Sequence, residues 1–320
     1  MDEFEIIKKY FKKLSINNPA ANELNDDVFF DKKKKLVVSV DTYNEGIHFP
    51  DFKFPNLIIK KIIRSSISDL ISKGVKPSYY FISGSGNKKK FTEANLKKIS
   101  NSLHNEQNKY KIKISGGDTT YSNKVSFSIT SIGFSKKIIK RNKAIVNDDI
   151  YVTGNIGDAY LGLLSVKNKI KIKKKLKKYF INKFYCPTLP INIQKHLSKF
   201  ANTSIDVSDG LFSDLYKLIN SQNLSYEIYL EKIPISKKLN NYLKTNNKKN
   251  IINYLSKGDD YQIIFTAPKS KRSLIKLYSK KMNQKITLIG KIVYGTRKNS
   301  IYYANKPQNL NNIKGYFHKF

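Results

Sequence analysis

Acidic residues in this chain gather at turn-like positions, mostly beside Gly, Ser or Thr. Five segments show it: Asn25-Asp26-Asp27, Ser39-Val40-Asp41-Thr42, Ser68-Asp69-Leu70, Gly116-Gly117-Asp118-Thr119-Thr120 and Asp206-Val207-Ser208-Asp209-Gly210. The chain carries only 24 acidic residues against 60 basic ones, so carboxylates repeated at turn-like positions make poor solubilising decoration. Drawn from distant segments, they would form a cage for hard cations. Mg²⁺ takes oxygen ligands in near-octahedral geometry, keeps waters, and is held by a few carboxylates together with substrate phosphates. Gly-rich turns whose backbone amides face phosphate oxygens would complete a nucleotide site. No Walker loop and no dinucleotide-binding glycine motif occurs, so a phosphoryl-transfer site here would be of another design. Taken singly each segment is weak, since Asp-Gly and Asn-Asp-Asp form ordinary turns and Ser and Asp cap helices.

The elements that would carry these residues follow from periodicity. Phe4, Ile7, Tyr10, Phe11 and Leu14 recur at helical spacing and predict an amphipathic first helix. Leu36 to Val40 is a short β-branched run that would deliver Asp41 at the end of a strand. Pro55 to Gly74 predicts a helix with Leu57, Ile58, Ile62, Ile63, Ile67, Leu70 and Ile71 as its apolar stripe and Asp69 within it. Pro77 to Ile82 reads as a strand and Ser83-Gly84-Ser85-Gly86-Asn87 as a mobile loop. A helix is expected over Phe91 to Asn105, then a strand over Lys111 to Ser115 feeding Gly116-Gly117-Asp118, then an alternating strand over Val125 to Phe134.

Ser135 to Asp149 reads as a junction, giving two expected domains, 1–140 and 141–320. Beyond it, Ile150 to Gly154 opens a strand and Gly157 a helix, and the Lys run from Lys167 to Lys178 reads as a solvated face. A helix to about Phe200 is expected after Cys186-Pro187-Thr188. Ser204-Ile205-Asp206, Tyr226 to Leu230, Tyr261 to Thr266 and Ile286 to Ile292 read as strands, the last as the final one. Interleaved strands and helices place the chain in the α/β (α+β) class.

Composition narrows the function. One cysteine, Cys186, excludes an intrachain disulfide and Cys-rich metal sites and suits a reducing cytoplasm. Four His are too few for a His-rich metal site. The start, Met1-Asp2-Glu3-Phe4-Glu5, lacks a signal-peptide pattern, and Lys or Asn interrupts every apolar run before the roughly 18 residues of a membrane span. The formal charge of +36 raises nucleic-acid binding. Only four residues are Arg, however, and the Lys are spread along the chain among Asn, Ile and Tyr, as AT-rich codon usage would produce. A basic nucleic-acid binder would also leave the ordered Asp segments unexplained.

Order and spacing carry more than any one motif. The chain resembles the thiamine-monophosphate kinase family, within the superfamily of aminoimidazole ribonucleotide synthetase and selenophosphate synthetase. The similarity runs through the five acidic segments and through Gly46-Ile47-His48-Phe49, Lys73-Gly74-Val75-Lys76-Pro77, Tyr151-Val152-Thr153-Gly154 with Gly157-Asp158, Gly258-Asp259-Asp260-Tyr261 and Gly315-Tyr316-Phe317-His318. The resemblance implies ATP- and Mg²⁺-dependent phosphorylation of thiamine monophosphate to thiamine diphosphate. It implies a two-domain aminoimidazole ribonucleotide synthetase-like fold, with N-terminal strands forming a barrel shared by a homodimer and a C-terminal α/β domain. It implies that Asp27, Asp41, Asp69, Asp118 and Asp206 hold several Mg²⁺ ions, with Ser39 or Thr42 nearby and Asp209 on a further ion. Tyr110, Gly116, Gly117, Arg141 and Ser208 would contact ATP, and His48, Asp259 and Tyr316 would line the thiamine-phosphate pocket. The acceptor phosphate is already ionised, so no acid–base residue is assigned.

Alternatives stay open at this level. His48 could be a packed turn histidine, Arg141 surface charge and Tyr316 a core anchor, while Asp26 and Asp260 read as turn-capping neighbours. Three positions depart from the family: Asn25 replaces the usual Gly, Val40 a common Thr, and Asp259 a usual Glu one methylene longer. A related kinase with another acceptor, or an inactive binding protein of the same fold, would share most of these motifs. A selenophosphate synthetase would need a reactive N-terminal Cys, and Cys186 lies deep in the second half.

Overall fold

The computed structural model describes residues 3–246 and 250–308. Its strands are β1 (Phe29–Asp31), β2 (Leu36–Asn44), β3 (Pro77–Gly86), β4 (Lys113–Tyr121), β5 (Ser126–Phe134), β6 (Asp149–Thr153), β7 (Thr203–Asp206), β8 (Leu224–Tyr229), β9 (Ile263–Ala267), β10 (Ile286–Tyr294), β11 (Ser300–Tyr303) and β12 (Lys306–Pro307). The helices are α1 (Glu3–Ile6), α2 (Pro55–Ser72), α3 (Glu93–Tyr110), α4 (Asp158–Val166), α5 (Lys174–Tyr185), α6 (Gln194–Leu197), α7 (Leu211–Ile219), α8 (Lys237–Thr245), α9 (Ile252–Leu255) and α10 (Arg272–Lys281).

The first five strands form one sheet, ordered β1-β2-β5-β3-β4. Along β2 the side chains alternate: Val37, Ser39 and Tyr43 are buried, whereas Val40 is 67% exposed. The period of two turns Ser39 and Asp41 to the face covered by α2 and leaves Val40 and Thr42 on an open face. Helix α2 is buried nearly all round, with Ile58, Ile59, Ile62, Ile63, Ile67, Leu70 and Ile71 as its apolar side. It packs on β2 and β5 on one side and reaches β7 and α5 on the other. Ser65, Ser66 and Ser68 interrupt its stripe, and these small residues admit the close approach: Ser66 Oγ and Ser131 Oγ of β5 lie 2.8 Å apart. A buried fork, Arg64 to Glu106 at 2.7 and 2.8 Å, ties α2 to α3.

The later strands form a second, seven-stranded sheet, ordered β12-β11-β8-β10-β6-β9-β7. It is buried on both faces. Tyr151, Ile263 and Phe265 join the core that contains α2. Their neighbours Ile150, Val152 and Ile264 join a second core with Leu211, Leu215 and Leu218 of α7. The chain crosses from one sheet to the other between residues 135 and 148.

Several expectations fail, each for a physical reason. The first helix is regular only over Glu3–Ile6, then widens through Ile7–Phe11 and tightens through Lys12–Ser15. Tyr10, Phe11, Leu14 and Ile16 of that segment stand exposed. Strand β2 runs on to Asn44, so Asp41 sits inside it, paired with Ile129, instead of at its end. The expected loop at Ser83–Asn87 is the continuation of β3, whose small residues leave room for rings. A Cβ on Gly84 would lie 3.0 Å from Phe127, and one on Gly86 2.9 Å from Phe91. Gly116-Gly117-Asp118 belongs to β4, where Gly117 pairs with Ile82 beside a register shift. A Cβ at Gly117 would stand 1.8 Å from the Ile82 carbonyl oxygen, a close approach that only Gly permits. The helix expected to Phe200 shrinks to Gln194–Leu197 after a tight turn, and β10 is followed by β11 and β12. The five-stranded sheet is open within the single chain. Tyr316 and its neighbours lie outside the described residues.

Candidate active site

A cleft of about 470 Å³ opens where α2, the β2 end of the first sheet and the β7 edge of the second meet. Six carboxylates line it, Glu3 and five aspartates: Asp41, Asp69, Asp206, Asp209 and Asp259. Each arrives by a different route. Asp41 projects inward from β2, Asp69 lies one turn from the end of α2, and Asp206 ends β7. Asp209 and Asp259 sit on two loops pressed backbone to backbone. The Asp259 amide donates to the Ser208 carbonyl at 2.9 Å, and a Cβ on Gly258 would stand 1.5 Å from that oxygen. A Cβ on Gly210, at φ 118°, would likewise stand 2.2 Å from the Ser256 carbonyl oxygen.

Asp41, Asp69 and Asp206 form the buried heart of the site. Ser68 Oγ donates to Asp206 at 2.7 Å, and Oδ2 of Asp41 is buried with no hydrogen-bond partner. Among the described residues no cation acts on Asp41 or Asp69, and the Lys73 charge acts on Asp206 without pairing with it. Burial, reinforced by the Asp27 charge, pushes the Asp41 carboxyl up to about 6. Burial and the same Asp27 charge push Asp206 up to about 8, against the Ser68 hydrogen bond. Asp69 is raised well above the carboxylate range by burial and by Asp41, Asp206 and Asp27 around it. Buried acids that repel one another need a cation to ionise together.

Asp26 and Asp27 differ. Lys73, fully buried just past the end of α2, pairs with Asp26 at 2.9 Å and Asp27 at 2.6 Å, and Arg141 reaches the other Asp27 oxygen at 3.7 Å. Burial alone would raise the Asp27 carboxyl, but Arg141 and Lys73 outweigh it and hold Asp27 well below the usual range. Asp26 also accepts the backbone amides of Asp27 and Arg141, the structural role expected of it. Asp260 likewise accepts the Gly157 and Ala159 amides at the start of α4.

Other expected residues scatter. Ser39 is buried beside α2 and donates to the Ser66 carbonyl at 3.4 Å. Thr42, on the open face, nonetheless lines the cleft and pairs with Ser128, 2.9 Å away. Asp118 shares that face across β3 and β5, three strand spacings or about 14 Å from Thr42. Gly116 and Gly117 lie with it on the edge strand. Tyr110 is buried against the Arg64 guanidinium, 5.7 Å from its ring, away from the cleft. Ser208 and His48 line the cleft. His48 Nδ1 accepts the Asn44 amide at 2.9 Å, so the ring is both a packed turn residue and a wall of the site. Asp209 pairs with Lys217, which also holds Asp214 at 3.1 Å.

Lys61 was not anticipated. It is 1% exposed, pairs with Asp259, and sets its ammonium 4.0 Å from the centre of the Phe184 ring. Tyr43, Tyr261 and Phe184 give the cleft an aromatic wall. Lys61, Ser65, Asp69 and Lys73 recur every four residues, a helix stripe visible in the sequence.

Among the described residues no three ligands converge on a single bare-ion position. Mg²⁺ keeps waters and fills its shell with one or two carboxylates and substrate phosphates. The hard oxygen donors and the unpartnered Asp41 oxygen fit such an ion.

A family model described as AIR synthase related protein, N-terminal domain, matches residues 24–135. The thiamine-monophosphate kinase of Buchnera aphidicola subsp. Acyrthosiphon pisum (strain APS) is 35% identical over 302 residues, covering 91% of this chain and 90% of the relative. That of Escherichia coli (strain K12) is 29% identical over 99% of this chain and 98% of its own length. Among solved structures, AaThiL complexed with AMPPCP and TMP matches with a TM-score of 0.85 at 26% identity, over 99% of this chain and 97% of the other. With the acidic motifs in order along a shared fold, the chain belongs to the thiamine-monophosphate kinase family.

Proposed function

We propose that the protein transfers the γ-phosphoryl of ATP to thiamine monophosphate, giving thiamine diphosphate, with Mg²⁺ in the cleft. The observation that carries this reading is the buried trio Asp41, Asp69 and Asp206, which Lys73 reaches only from a distance through Asp206, beside an aromatic-walled cleft. It is supported by the relative whose structure holds AMPPCP and TMP. Donor and acceptor phosphates are both anionic, and bound Mg²⁺ supplies the charge neutralisation that lets them approach. Asp41, Asp69 and Asp206 would hold it, with Ser39 orienting Asp69 and Asp209 serving a further ion. The protein's own part is otherwise positioning. Ser208 would meet the nucleotide phosphates and Arg141, whose buried Nε lacks a partner, would offer them a charged donor. Asp259, His48 and the rings of Tyr43, Tyr261 and Phe184 would face the cationic thiazolium.

The open face of the first sheet gives the dimer its place in this reading. Val40, Tyr79 and Phe81 are 67%, 42% and 39% exposed there, and β4 is an unpaired edge exposed along its whole length. Two copies closing these sheets into a barrel would cover the patch and bring Gly116, Gly117 and Asp118 of each copy toward the cleft of the other. Domains 1–140 and 141–320 would then flank each cleft. A cytoplasmic setting accords with the lone thiol, and no described helix is long and apolar enough to cross a membrane.

Incubating the purified protein with γ-labelled ATP, Mg²⁺ and thiamine monophosphate tests the reaction. Label should appear in thiamine diphosphate, and neither thiamine nor an EDTA-treated mixture should give labelled product. Binding of ATP without labelled diphosphate would send the assignment to another acceptor.

A further inference from the structure

Lys73 occupies an unusual place for a lysine. Its ammonium pairs with Asp26 at 2.9 Å and Asp27 at 2.6 Å and donates a hydrogen bond to the Ser204 carbonyl at 2.9 Å. The side chain has no exposure to solvent. It caps the C-terminal end of α2, where the helix dipole favours a cation. Lys73 lies four residues after Asp69 on the same helix face, and its third acceptor, Ser204, lies two residues before Asp206 on β7. The ammonium thus sits on the Asp26–Asp27 side of the acidic group, behind the cleft-lining trio. Asp26 is fully engaged by Lys73 and two backbone amides, and both Asp27 oxygens face protein cations. Asp41, Asp69 and Asp206 have no such partner.

We propose that Lys73 is a resident cation of the carboxylate cage: its tethered ammonium takes the place at Asp27 that a divalent ion would fill, so the resting protein binds divalent ions through Asp41, Asp69 and Asp206 and not through Asp27. The inference rests on the cleft being a divalent-cation site. Its consequence is a divalent-ion stoichiometry lower by one than the acidic residues alone would give. A lysine also cannot be washed out, so the Asp27 side of the cage keeps its shape when Mg²⁺ is scarce.

Mn²⁺ counting by electron paramagnetic resonance, without nucleotide and with AMPPCP, tests this without turnover. Lys73→Met should bind one more Mn²⁺ per chain than the wild type, and adding Asp27→Asn to that variant should remove the extra ion. Equal stoichiometry and affinity in wild type and Lys73→Met would overturn the role of Lys73. Should Lys73→Met fail to fold, Asp27→Asn in the wild-type background decides: unchanged Mn²⁺ stoichiometry is expected, and loss of one ion overturns the proposal. A wild-type protein that binds no Mn²⁺ even with AMPPCP would overturn the cage itself, a different failure from equal binding by the two proteins.

Discussion

Three acids buried side by side without a counter-ion oppose folding unless they hold protons or a metal. Asp206 titrates near 8 in the folded chain and Asp41 near 6, against about 4 for an unfolded aspartate. Because these folded values are raised, the protonated trio favours the native state fully below about pH 4, and that contribution is lost as pH rises through the folded values. Mg²⁺ binds the ionised form and should restore it. The melting temperature measured in EDTA should therefore fall between pH 5 and pH 8, and the increase on adding Mg²⁺ should be larger at pH 8. An Mg²⁺ shift equal at both pH values would contradict the site. Asp41, Asp69 and Asp206 were legible as a set from their Gly and Ser neighbours. The cations were not, because lysine in a chain with 60 basic residues reads as surface charge. Only the four-residue spacing of Lys61, Ser65, Asp69 and Lys73 marks two of those lysines as facing inward.

At the scale of elements, α2 does most of the positioning. Its apolar residues predicted the helix almost to the residue, since a stripe that packs against two sheets is strong and local. Strand β4 was misread because Gly116-Gly117-Asp118 has the composition of a turn, while its extended form depends on β3, some thirty residues earlier in the chain. The same blindness to distant backbone hid the contact between the Ser208 and Gly258 loops. That contact predicts that Gly258→Ala, whose Cβ would meet the Ser208 carbonyl oxygen, forces the loops apart. Urea unfolding should show a loss of about 1–3 kcal/mol, the usual range for overpacking. Activity should fall with it, because Asp209 and Asp259 ride on those loops; unchanged stability would mean that the loops separate freely.

For the whole molecule, the sequence indicated two α/β halves, and the structure builds one sheet from each. The family resemblance implied a shared barrel, which a single chain leaves as an open sheet with an apolar face. Phe81→Asp places a charge in the middle of that face, away from the cleft lining. Sedimentation should show wild-type dimers and a monomeric variant with native circular dichroism, and if copies contribute Asp118 to one another, activity should fall as the dimer is lost. A wild-type monomer with full activity would contradict that arrangement. The high positive charge is spread over both halves and needs no nucleic acid to account for it.

The rate of thiamine diphosphate formation by Asp69→Asn, at saturating ATP, thiamine monophosphate and Mg²⁺, tests the central claim most directly. The substitution keeps side-chain size and removes one charge from the middle of the buried trio. A fall of about a hundredfold or more, the scale of losing one preorganised electrostatic contact, is predicted with the fold intact. A variant that turns over at the wild-type rate would show that these carboxylates do not carry the reaction.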